Sequence, residues 1–275
     1  MQNQTILVIG STGKTGSRIA AILAERGFSV RNGSRKAAIP FDWEAPETWA
    51  ASLDGVSSAY VSYFPDLAFP GASEKIETLT RVAAEAGVKR LVLLSGRGES
   101  HAQAAESIVA KSGLDYTLVR ASWFAQNFSE GYLRDQVLDG IVAVPAGTVR
   151  EPIVDVDDIA DVAVAALTED RHSRQLYEVT GPRLLGFDEM AAELAAATGR
   201  PVRYMPITFD AFHAAMTEAG GTFVADVFTA ISREVLDGRN ESLGDGVQRA
   251  LGRAPRDFTD FAQAAAAQGA WRKAA

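Results

Sequence analysis

Short apolar runs alternate with amphipathic stretches along roughly the first 120 residues of the chain. The runs at Thr5–Ile9 and at residues 91–94 consist almost entirely of branched apolar side chains, a pattern typical of strands buried on both faces. The first stretch with helical spacing carries Ile19 and Leu23 and is expected to end at Gly27. Strands that alternate with helices pair in parallel, because parallel neighbours need a crossover connection.

The same pattern extends over the rest of the chain. The predicted strands are residues 5–9, 28–31, 58–63, 91–94, 116–119, 152–156, 176–179 and 202–207. The predicted helices after the first are residues 49–53, 72–86, 100–111, 124–138, 159–167 and 187–197, followed by a mostly helical stretch from residue 209. Asp157 or Asp158 is expected to cap the helix at 159–167, since a carboxylate there accepts otherwise unpaired N–H groups. Right-handed crossovers arrange these elements as an α/β fold with a doubly wound parallel Rossmann sheet.

Composition narrows the class of function. The 275 residues are 47% hydrophobic, enough for one large core or a core with a smaller lobe. A formal net charge of −8 argues against a nucleic-acid partner and against docking on an anionic membrane. The absence of cysteine excludes disulfides and thiolate chemistry. The first residues show no basic targeting segment, so a cytoplasmic location is expected.

A glycine-rich loop follows the first strand and opens the first helix. Its glycines allow a tight turn, close approach of the backbone to a pyrophosphate, and close packing of helix on sheet. Lys14 and Arg18 are expected to add positive charge nearby. A Walker-type loop is disfavoured because Lys14-Thr15 precedes the last glycine, and the remaining alternative is an ordinary glycine turn. The residues expected to hold the pyrophosphate are Gly10, Ser11, Thr12, Gly13, Lys14, Thr15 and Gly16.

The turn after the second predicted strand indicates which dinucleotide is bound. Selection of NAD(H) places an acidic residue there against the ribose 2′-hydroxyl, but residues 28–36 contain no acid. They contain Ser34, Arg35 and other cations, which suit a 2′-phosphate because the guanidinium matches phosphate oxygens. We therefore expect NADP(H) to be preferred over NAD(H), with a solvated basic turn as the alternative.

Dehydrogenases of this general kind often use a tyrosine acid with a lysine four residues later, and this pair is missing. None of the six tyrosines has lysine at that spacing. The substrate then needs no strong acid, or the protein binds its cofactor without turnover; the catalytic residues remain unknown. The three histidines are scattered without metal-ligand spacing, and each is expected on the surface or on a helix. The side chains expected to line a substrate pocket beyond the strand ends are Ser95, Arg97, Trp123, Phe128 and Tyr132, with a mobile loop around Arg97.

The whole chain resembles the NmrA-like group of atypical short-chain dehydrogenases. The resemblance rests on the glycine loop and on Phe-Asp-Trp at 41–43, Leu-Asp-Gly-Val at 53–56, Gly-Val-Lys-Arg-Leu-Val-Leu-Leu-Ser at 87–95, Ser-Gly-Leu-Asp-Tyr-Thr-Leu-Val-Arg at 112–120, Trp-Phe-Ala-Gln-Asn at 123–127, Val-Asp-Asp-Ile-Ala at 156–160 and Thr-Gly-Pro at 180–182. Gly-Lys-Thr at 13–15, Gly-Ser-Arg at 33–35 and Phe-Asp-Trp look most like the branch of the fungal ergot-alkaloid reductases, the festuclavine synthases and agroclavine dehydrogenases.

The resemblance implies further roles. Residues 1–150 would form the NADP(H)-binding Rossmann core, and residues 151–275 the remaining Rossmann elements with a small, mostly helical substrate lobe, in one continuous unit. Many members carry a lysine where this chain has Ala102. Besides the glycine loop, Ser34 and Arg35, the residues implied to contact the cofactor are Asp42 and Trp43 by the adenine, Ser62, Tyr63 and Phe64 along the ribose, and Phe124 and Asn127 by the nicotinamide.

Three functions agree with these features. The first is an NADPH-dependent reductase that delivers hydride to an already activated small molecule, an iminium or a quinone, without a tyrosine–lysine pair. The second is a non-catalytic regulator that binds NADP(H) and senses redox state. The third is a dinucleotide-binding scaffold without activity.

Overall fold

The computed structural model describes residues 4–272, and its strands follow the predicted alternation closely. They are β1 (Thr5–Ile9), β2 (Ser29–Gly33), β3 (Val56–Val61), β4 (Arg90–Gly96), β5 (Asp115–Ala121), β6 (Ile141–Val144), β7 (Arg150–Glu151), β8 (Gln175–Val179), β9 (Leu185–Gly186) and β10 (Arg203–Pro206). Six of them form one parallel sheet in the order β2-β1-β3-β4-β5-β8. The predicted doubly wound parallel sheet is confirmed.

Helices connect these strands and fill the end of the chain. They are α1 (Lys14–Glu25), α2 (Trp49–Leu53), α3 (Ala72–Glu85), α4 (Ser100–Lys111), α5 (Asn127–Glu130), α6 (Leu133–Asp139), α7 (Val156–Thr168), α8 (Phe187–Thr198), α9 (Phe209–Gly220), α10 (Thr222–Val235), α11 (Gly246–Leu251) and α12 (Phe258–Ala267). Among the residues described, none of these helices combines the length and the apolar composition needed to cross a bilayer.

The alternating side chains of the central strand divide the core into two layers. Leu7 and Ile9 of β1 pack with α3 and α4 on one face of the sheet. Ile6 and Val8 pack with α1, α7 and α11 on the other face. Because successive strand residues point to opposite faces, one apolar run supplies both cores, as expected for a strand covered on both sides.

A third apolar cluster lies outside the two sheet layers. It joins α5 and α6 with β6, α8 and α12. Trp271 closes this cluster: its ring is buried, and its Nε1 donates a 2.7 Å hydrogen bond to the Phe128 carbonyl. The chain after β5 therefore builds a second packed body beside the sheet and returns to the sheet in α7 and β8.

Two predicted elements were wrong. The single helix predicted at 124–138 is broken into α5 and α6, because Gly131 between them is extended. A Cβ on Gly131 would lie 3.1 Å from the Asn127 carbonyl oxygen and 3.2 Å from the Lys14 Nζ. The backbone at the break is therefore closely packed against both residues. The strand predicted at 152–156 is replaced by a single bridge between Phe124 and Val154, and the short strand β7 ends before it at Glu151, since Pro152 has no N–H to donate.

The predicted cap of α7 was also wrong. The helix begins three residues earlier than predicted, and Asp155 caps it by accepting a 2.8 Å bond from the Asp157 N–H. Asp157 instead binds Arg18, and Asp158 is fully buried against Arg256. The second strand likewise runs two residues beyond its predicted end, to Gly33, which packs against Ile9.

An ion pair fixes the start of α12 and makes it sensitive to acid. The Asp257 carboxylate accepts 2.7 Å bonds from the Arg183 Nε and Nη2, and it caps the helix through the Thr259 N–H at 2.9 Å. The bonds from Arg183 hold the pKa of Asp257 at about 2. A carboxyl with a depressed pKa stabilises the fold above its unfolded-state pKa, and this contribution is lost as the pH falls toward the folded-state value.

We expect Asp257→Ala to lower the free energy of unfolding at pH 7 by about 1–2 kcal/mol, since the cap and the ion pair are lost together. Asp245→Ala is the matched control: Asp245 precedes α11 but makes no side-chain cap bond, so it should change stability by less than about 0.5 kcal/mol. Urea unfolding measures both. The effect of Asp257→Ala should narrow between pH 4 and pH 2, and a pH-independent difference would contradict the ion-pair account.

Candidate functional site

A tight glycine turn carries the chain from the end of β1 into α1. Gly10 has a φ of +78°, which favours glycine, and its carbonyl accepts a 2.9 Å bond from the Gly13 N–H. A Cβ on Gly16 would lie 2.2 Å from the Gly10 carbonyl oxygen, so only glycine fits there. The turn therefore places the first turn of α1 directly against the end of the central strand.

Some polar groups of this turn have no partner among residues 4–272. In the described structure no side chain caps α1 and its first turn holds no acid, so its N–H groups are free to bind an anion. The Ser11 hydroxyl is buried and makes no hydrogen bond with any described residue. A buried unsatisfied hydroxyl beside a free helix N-terminus fits a phosphate group. Thr12 is exposed at the tip of the turn.

The neighbouring strand β3 and the residue after it contact the glycine turn. The fully buried Tyr60 of β3 donates from its hydroxyl to the Thr15 Oγ1 at 2.9 Å. Ser62 follows β3 and lies against Gly10, whose added Cβ would be 3.2 Å from the Ser62 Cβ. The conformation of the turn is thus fixed by β3 as well as by its own glycines.

The two basic residues of α1 behave differently. The Lys14 Nζ donates a 3.0 Å bond to the Asn127 Oδ1, and burial lowers the pKa of Lys14. Arg18 is bound on both sides, at 2.6 Å by Glu130 and at 2.7 Å by Asp157. Arg18 does carry positive charge near the loop, but its charge is already paired with these two carboxylates, whereas the Lys14 side chain joins the glycine loop to Asn127 after β5.

The turn after β2 leaves two cations open to solvent. Ser34 is half-buried, and its carbonyl accepts bonds from the N–H groups of Ala37 and Phe41 at 3.2 and 3.0 Å. Arg35 and Lys36 are exposed, and no carboxylate of residues 4–272 lies within ion-pair distance of either. Because β2 pairs with β1, this turn lies at the same sheet edge as the glycine loop.

Aromatic side chains pack together beside this edge of the sheet. Trp43 is buried, its Nε1 donates to the Ser62 carbonyl at 3.2 Å, and its ring centroid lies 4.7 Å from that of Tyr63. Asp42 is held by its carbonyl, which accepts a 2.6 Å bond from the Trp49 Nε1. Phe64 differs from them because 71% of its surface is exposed, so its ring is open to contact a bound molecule.

Tyr63 is the tyrosine at this edge that has a lysine beside it. The lysine is Lys75 of α3, whose Nζ binds the Glu44 Oε1 at 2.6 Å. Lys75 opposes the effect of burial on the Tyr63 hydroxyl, yet burial dominates and the pKa of Tyr63 is raised. This pair therefore does not reproduce the activated tyrosine of the usual dyad.

Beyond β5, the predicted pocket residues divide into open and buried side chains. Tyr132 is 45% exposed, and Trp123 is half-buried with its ring against Phe187. Phe124 is half-buried beside Asn127, which receives the Lys14 bond. Phe128 is completely buried and packs on Phe258, so it stabilises the third apolar cluster and does not line an open pocket.

Ser95 and Arg97 are occupied by protein partners, contrary to expectation. The Ser95 hydroxyl donates to the buried Glu106 at 2.6 Å, and Glu106 is ion-paired with Arg120. The Arg97 guanidinium donates 2.8 Å bonds to the carbonyls of Asn240 and Ser242. The loop around Arg97 is therefore hydrogen-bonded to residues 240–242, and its mobility stays a prediction.

The histidines and possible metal sites offer no further chemistry. His101 is exposed, and His213 pairs with Asp226 at 2.7 Å. His172 ends a short 3₁₀ helix at Asp170–His172, where it is fully buried with its Nδ1 2.8 Å from the Tyr177 hydroxyl. Between residues 4 and 272, no three His, Cys, Asp or Glu side chains are grouped as a metal site requires.

Two carboxyl groups near the strand ends were missed at the sequence level. Burial raises the pKa of Glu99, just after β4, to about 8, and burial raises the pKa of Glu151 in β7 to about 8. Neither residue belongs to a spaced motif, because the contacts that bury them come from distant segments. No signal in a single sequence would have identified them.

Comparison with known proteins identifies what this arrangement resembles. A family model described as NAD(P)H-binding matches residues 10–170. An NAD(P)H azoreductase from Xenophilus azovorans is 34% identical over 95% of this chain and 98% of that protein. An uncharacterized oxidoreductase of Bacillus subtilis is 31% identical over 97% of each chain. Festuclavine synthase II of Penicillium roqueforti is 30% identical over 94% of this chain and 97% of that protein, which confirms the predicted resemblance to that branch.

Solved structures share the fold at lower identity. The triphenylmethane reductase of Citrobacter sp., complexed with NADP(H), has a TM-score of 0.73 at 22% identity over 95% of this chain and 99% of that chain. An NADPH-dependent quinone oxidoreductase from Escherichia coli, complexed with NADPH, has a TM-score of 0.70 at 21% identity over 94% and 99%. A mutant NmrA has a TM-score of 0.70 at 16% identity over 96% and 95%, as the predicted NmrA-like fold requires.

The glycine loop predicts a separation between folding and dinucleotide binding. We expect Gly16→Ala to lower the free energy of unfolding by roughly 1–3 kcal/mol and to abolish binding, because its Cβ would clash with the Gly10 carbonyl. Gly13→Ala is the matched control: its Cβ would lie 3.3 Å from the same oxygen, so the fold is kept while approach to the pyrophosphate is blocked. Thermal unfolding and NADPH fluorescence measure the two effects, and equal stabilities would contradict this account of Gly16.

Proposed function

The chain belongs to the NAD(P)H-binding family and is an NAD(P)H-dependent oxidoreductase; from this premise we propose that it is a reductase that prefers NADPH and delivers hydride to an activated small-molecule acceptor. The observation that carries the proposal is the anion-binding geometry at the start of α1. There the helix N–H groups and the buried Ser11 hydroxyl have no partner among residues 4–272, and Lys14 reaches toward the segment after β5.

In this proposal, different groups of residues bind the pyrophosphate and the 2′-phosphate of the cofactor. Gly10 to Gly16 hold the pyrophosphate, and Lys14 fixes the distance between that loop and Asn127 near the nicotinamide. Ser34 and Arg35 bind the 2′-phosphate, which the exposed guanidinium of Arg35 favours because it forms no ion pair with a carboxylate of residues 4–272.

Aromatic side chains place the two ends of the cofactor. Asp42 and Trp43 lie by the adenine, Ser62, Tyr63 and Phe64 lie along the ribose, and Phe124 borders the nicotinamide. When bound, NADPH supplies a hydride, and the surrounding residues orient it and exclude water.

The acceptor is inferred from the absence of an activated tyrosine. No tyrosine has lysine four residues later, and the pKa of Tyr63 is raised despite Lys75. An acceptor that is already electrophilic, such as an iminium or a quinone, takes hydride without strong prior protonation. The names of the similar proteins support this class, since azo compounds, triphenylmethane dyes and quinones are all conjugated electron acceptors.

Cofactor preference is tested by titrating the protein with NADPH and NADH. We expect NADPH to bind more tightly, and Arg35→Ala to weaken NADPH by about 10- to 100-fold while leaving NADH unchanged, since a charge-assisted bond to the 2′-phosphate is lost. The matched control is Arg26→Ala, an exposed arginine at the far end of α1. Equal affinities for the two dinucleotides would remove the assignment of Ser34 and Arg35.

Turnover is tested by following NADPH oxidation with a panel of quinones, azo dyes and cyclic iminium ions. We expect at least one acceptor to be reduced, and Gly16→Ala to be inactive at the same NADPH concentration because the cradle is closed. Tight NADPH binding without oxidation across the panel would contradict the reductase. That result would favour the alternative, a regulator that senses NADP(H).

A further inference from the structure

A cavity of about 340 Å³ lies apart from the cofactor site described above. Arg18 of α1, Asp155 before α7 and Phe261 of α12 line it, together with Ser129 and Glu130 of α5. The glycine loop and the turn after β2 contribute no residue to its wall. Its volume is in the range in which proteins enclose a small organic molecule.

An unpaired hydroxyl group lines this cavity. Only 8% of the surface of Ser129 is exposed, yet its hydroxyl makes no hydrogen bond with any residue from 4 to 272. Ser122, seven residues earlier, shows the ordinary case, because its buried hydroxyl donates to the Pro152 carbonyl at 2.6 Å. A hydroxyl this deeply buried normally has a partner, so that of Ser129 is available to a molecule in the cavity.

Asp155 supplies an unpaired carboxylate oxygen to the same wall. Its side chain is 6% exposed, and its Oδ1 accepts 2.8 Å bonds from the Gln126 Nε2 and the Asp157 N–H. Its Oδ2 has no partner in the described part of the chain, and no cation there lies within ion-pair distance. Burial raises the pKa of Asp155, and the charges of Asp157 and Asp158 add to this effect. A buried carboxylate without a counter-charge is unfavourable, and a positively charged ligand would compensate it.

The remaining charges around the cavity are paired within the protein. The Arg18 guanidinium binds Glu130 at 2.6 Å and Asp157 at 2.7 Å. The Arg134 guanidinium binds Asp135 at 3.1 Å. Because both cations already have carboxylate partners, neither compensates the buried carboxylate. Glu130 and Asp157 are 38% and 49% exposed, so a molecule from solvent can enter on their side.

The two unpaired groups determine which chemistry fits. A ligand that satisfies both Asp155 and Ser129 needs positive charge and at least two N–H donors, and a primary ammonium group has three. Between residues 4 and 272 no three acidic or histidine side chains are grouped as a metal ion requires, which favours an organic cation. The side chains of Phe261, Ala264 and Ala265 give the cavity an apolar surface that suits a short hydrocarbon chain.

We propose that this cavity binds a small primary amine. The ammonium group donates to the Asp155 Oδ2 and to the Ser129 hydroxyl oxygen, and the hydrocarbon part lies against α12. The site involves none of the residues assigned to the dinucleotide, so it does not depend on the reductase function proposed above.

Binding is measured with n-butylamine, which is protonated at pH 7.5, by NMR titration of isotope-labelled protein at constant ionic strength. We expect saturable shifts at residues 126–130 and 155–157, with a Kd of about 1–10 mM, as suits a ligand of this size. Two compounds serve as controls: n-butanol has the same chain without the charge, and tetramethylammonium has the charge without N–H donors. Each should bind at least about 10-fold more weakly.

Asp155→Asn tests the carboxylate without disturbing its protein contacts. Both bonds that Asp155 accepts go to Oδ1, and asparagine caps a helix as well as aspartate, so the variant exchanges only the unpaired oxygen for an amide. We expect it to weaken n-butylamine by about 10-fold or more and to leave n-butanol unchanged. Ser129→Ala should weaken n-butylamine by about 3- to 10-fold. Asp245→Asn, which changes a carboxylate that does not line the cavity, should have no effect.

Several outcomes would overturn the amine site. They are the absence of saturation up to about 50 mM n-butylamine, equal binding of n-butanol, shifts confined to other parts of the chain, and competition by magnesium chloride at the same ionic strength. Unchanged affinity in Asp155→Asn would also overturn it. If thermal unfolding shows that this variant does not fold, Ser129→Ala decides, and unchanged affinity there has the same meaning. Because no NADPH is oxidised in these titrations, their result is independent of whether the protein is a reductase.

Discussion

The close contact between Gly16 and the Gly10 carbonyl is the constraint on which the site depends. A distance that allows no Cβ brings α1 against the end of β1, and this leaves its N–H groups facing the sheet edge. The buried hydroxyl of Tyr60 then holds Thr15, and Lys14 reaches Asn127 across the edge. The partial positive charge of a helix N-terminus is thereby placed between β1 and β3, where the strand order reverses and a crevice opens.

A buried ionic network organises the other half of the same edge. Glu106 binds both Ser95 and Arg120, Arg120 also binds Glu178, and Glu178 binds Arg97. Each buried charge is compensated, as a low-dielectric interior requires. The network joins β4, β5 and β8 to one another and, through Arg97, to residues 240–242. It therefore holds the ends of these three strands together.

Local rules explain why much of the fold could be predicted from the sequence. The strand Thr5–Ile9 and the glycine loop are decided by neighbours in the chain, and their positions were confirmed. Ser95 and Phe128 were misjudged because their partners lie elsewhere in the sequence, in Glu106 and Phe258. Composition and spacing identify which residues could bind a ligand, whereas tertiary contacts decide which of them are already occupied.

The same contrast applies to the source of protons. In the usual dyad a cation lowers the pKa of a tyrosine, and a short sequence motif reveals it. Here burial dominates. It raises the pKa of Tyr63 further above neutrality, and it raises the pKa of Glu151 to about 8. Desolvation disables a phenol as an acid but makes a carboxyl group available as one, because their ordinary pKa values lie on opposite sides of neutrality. Packing, and not a motif, therefore decides which carboxyl groups hold their protons at neutral pH.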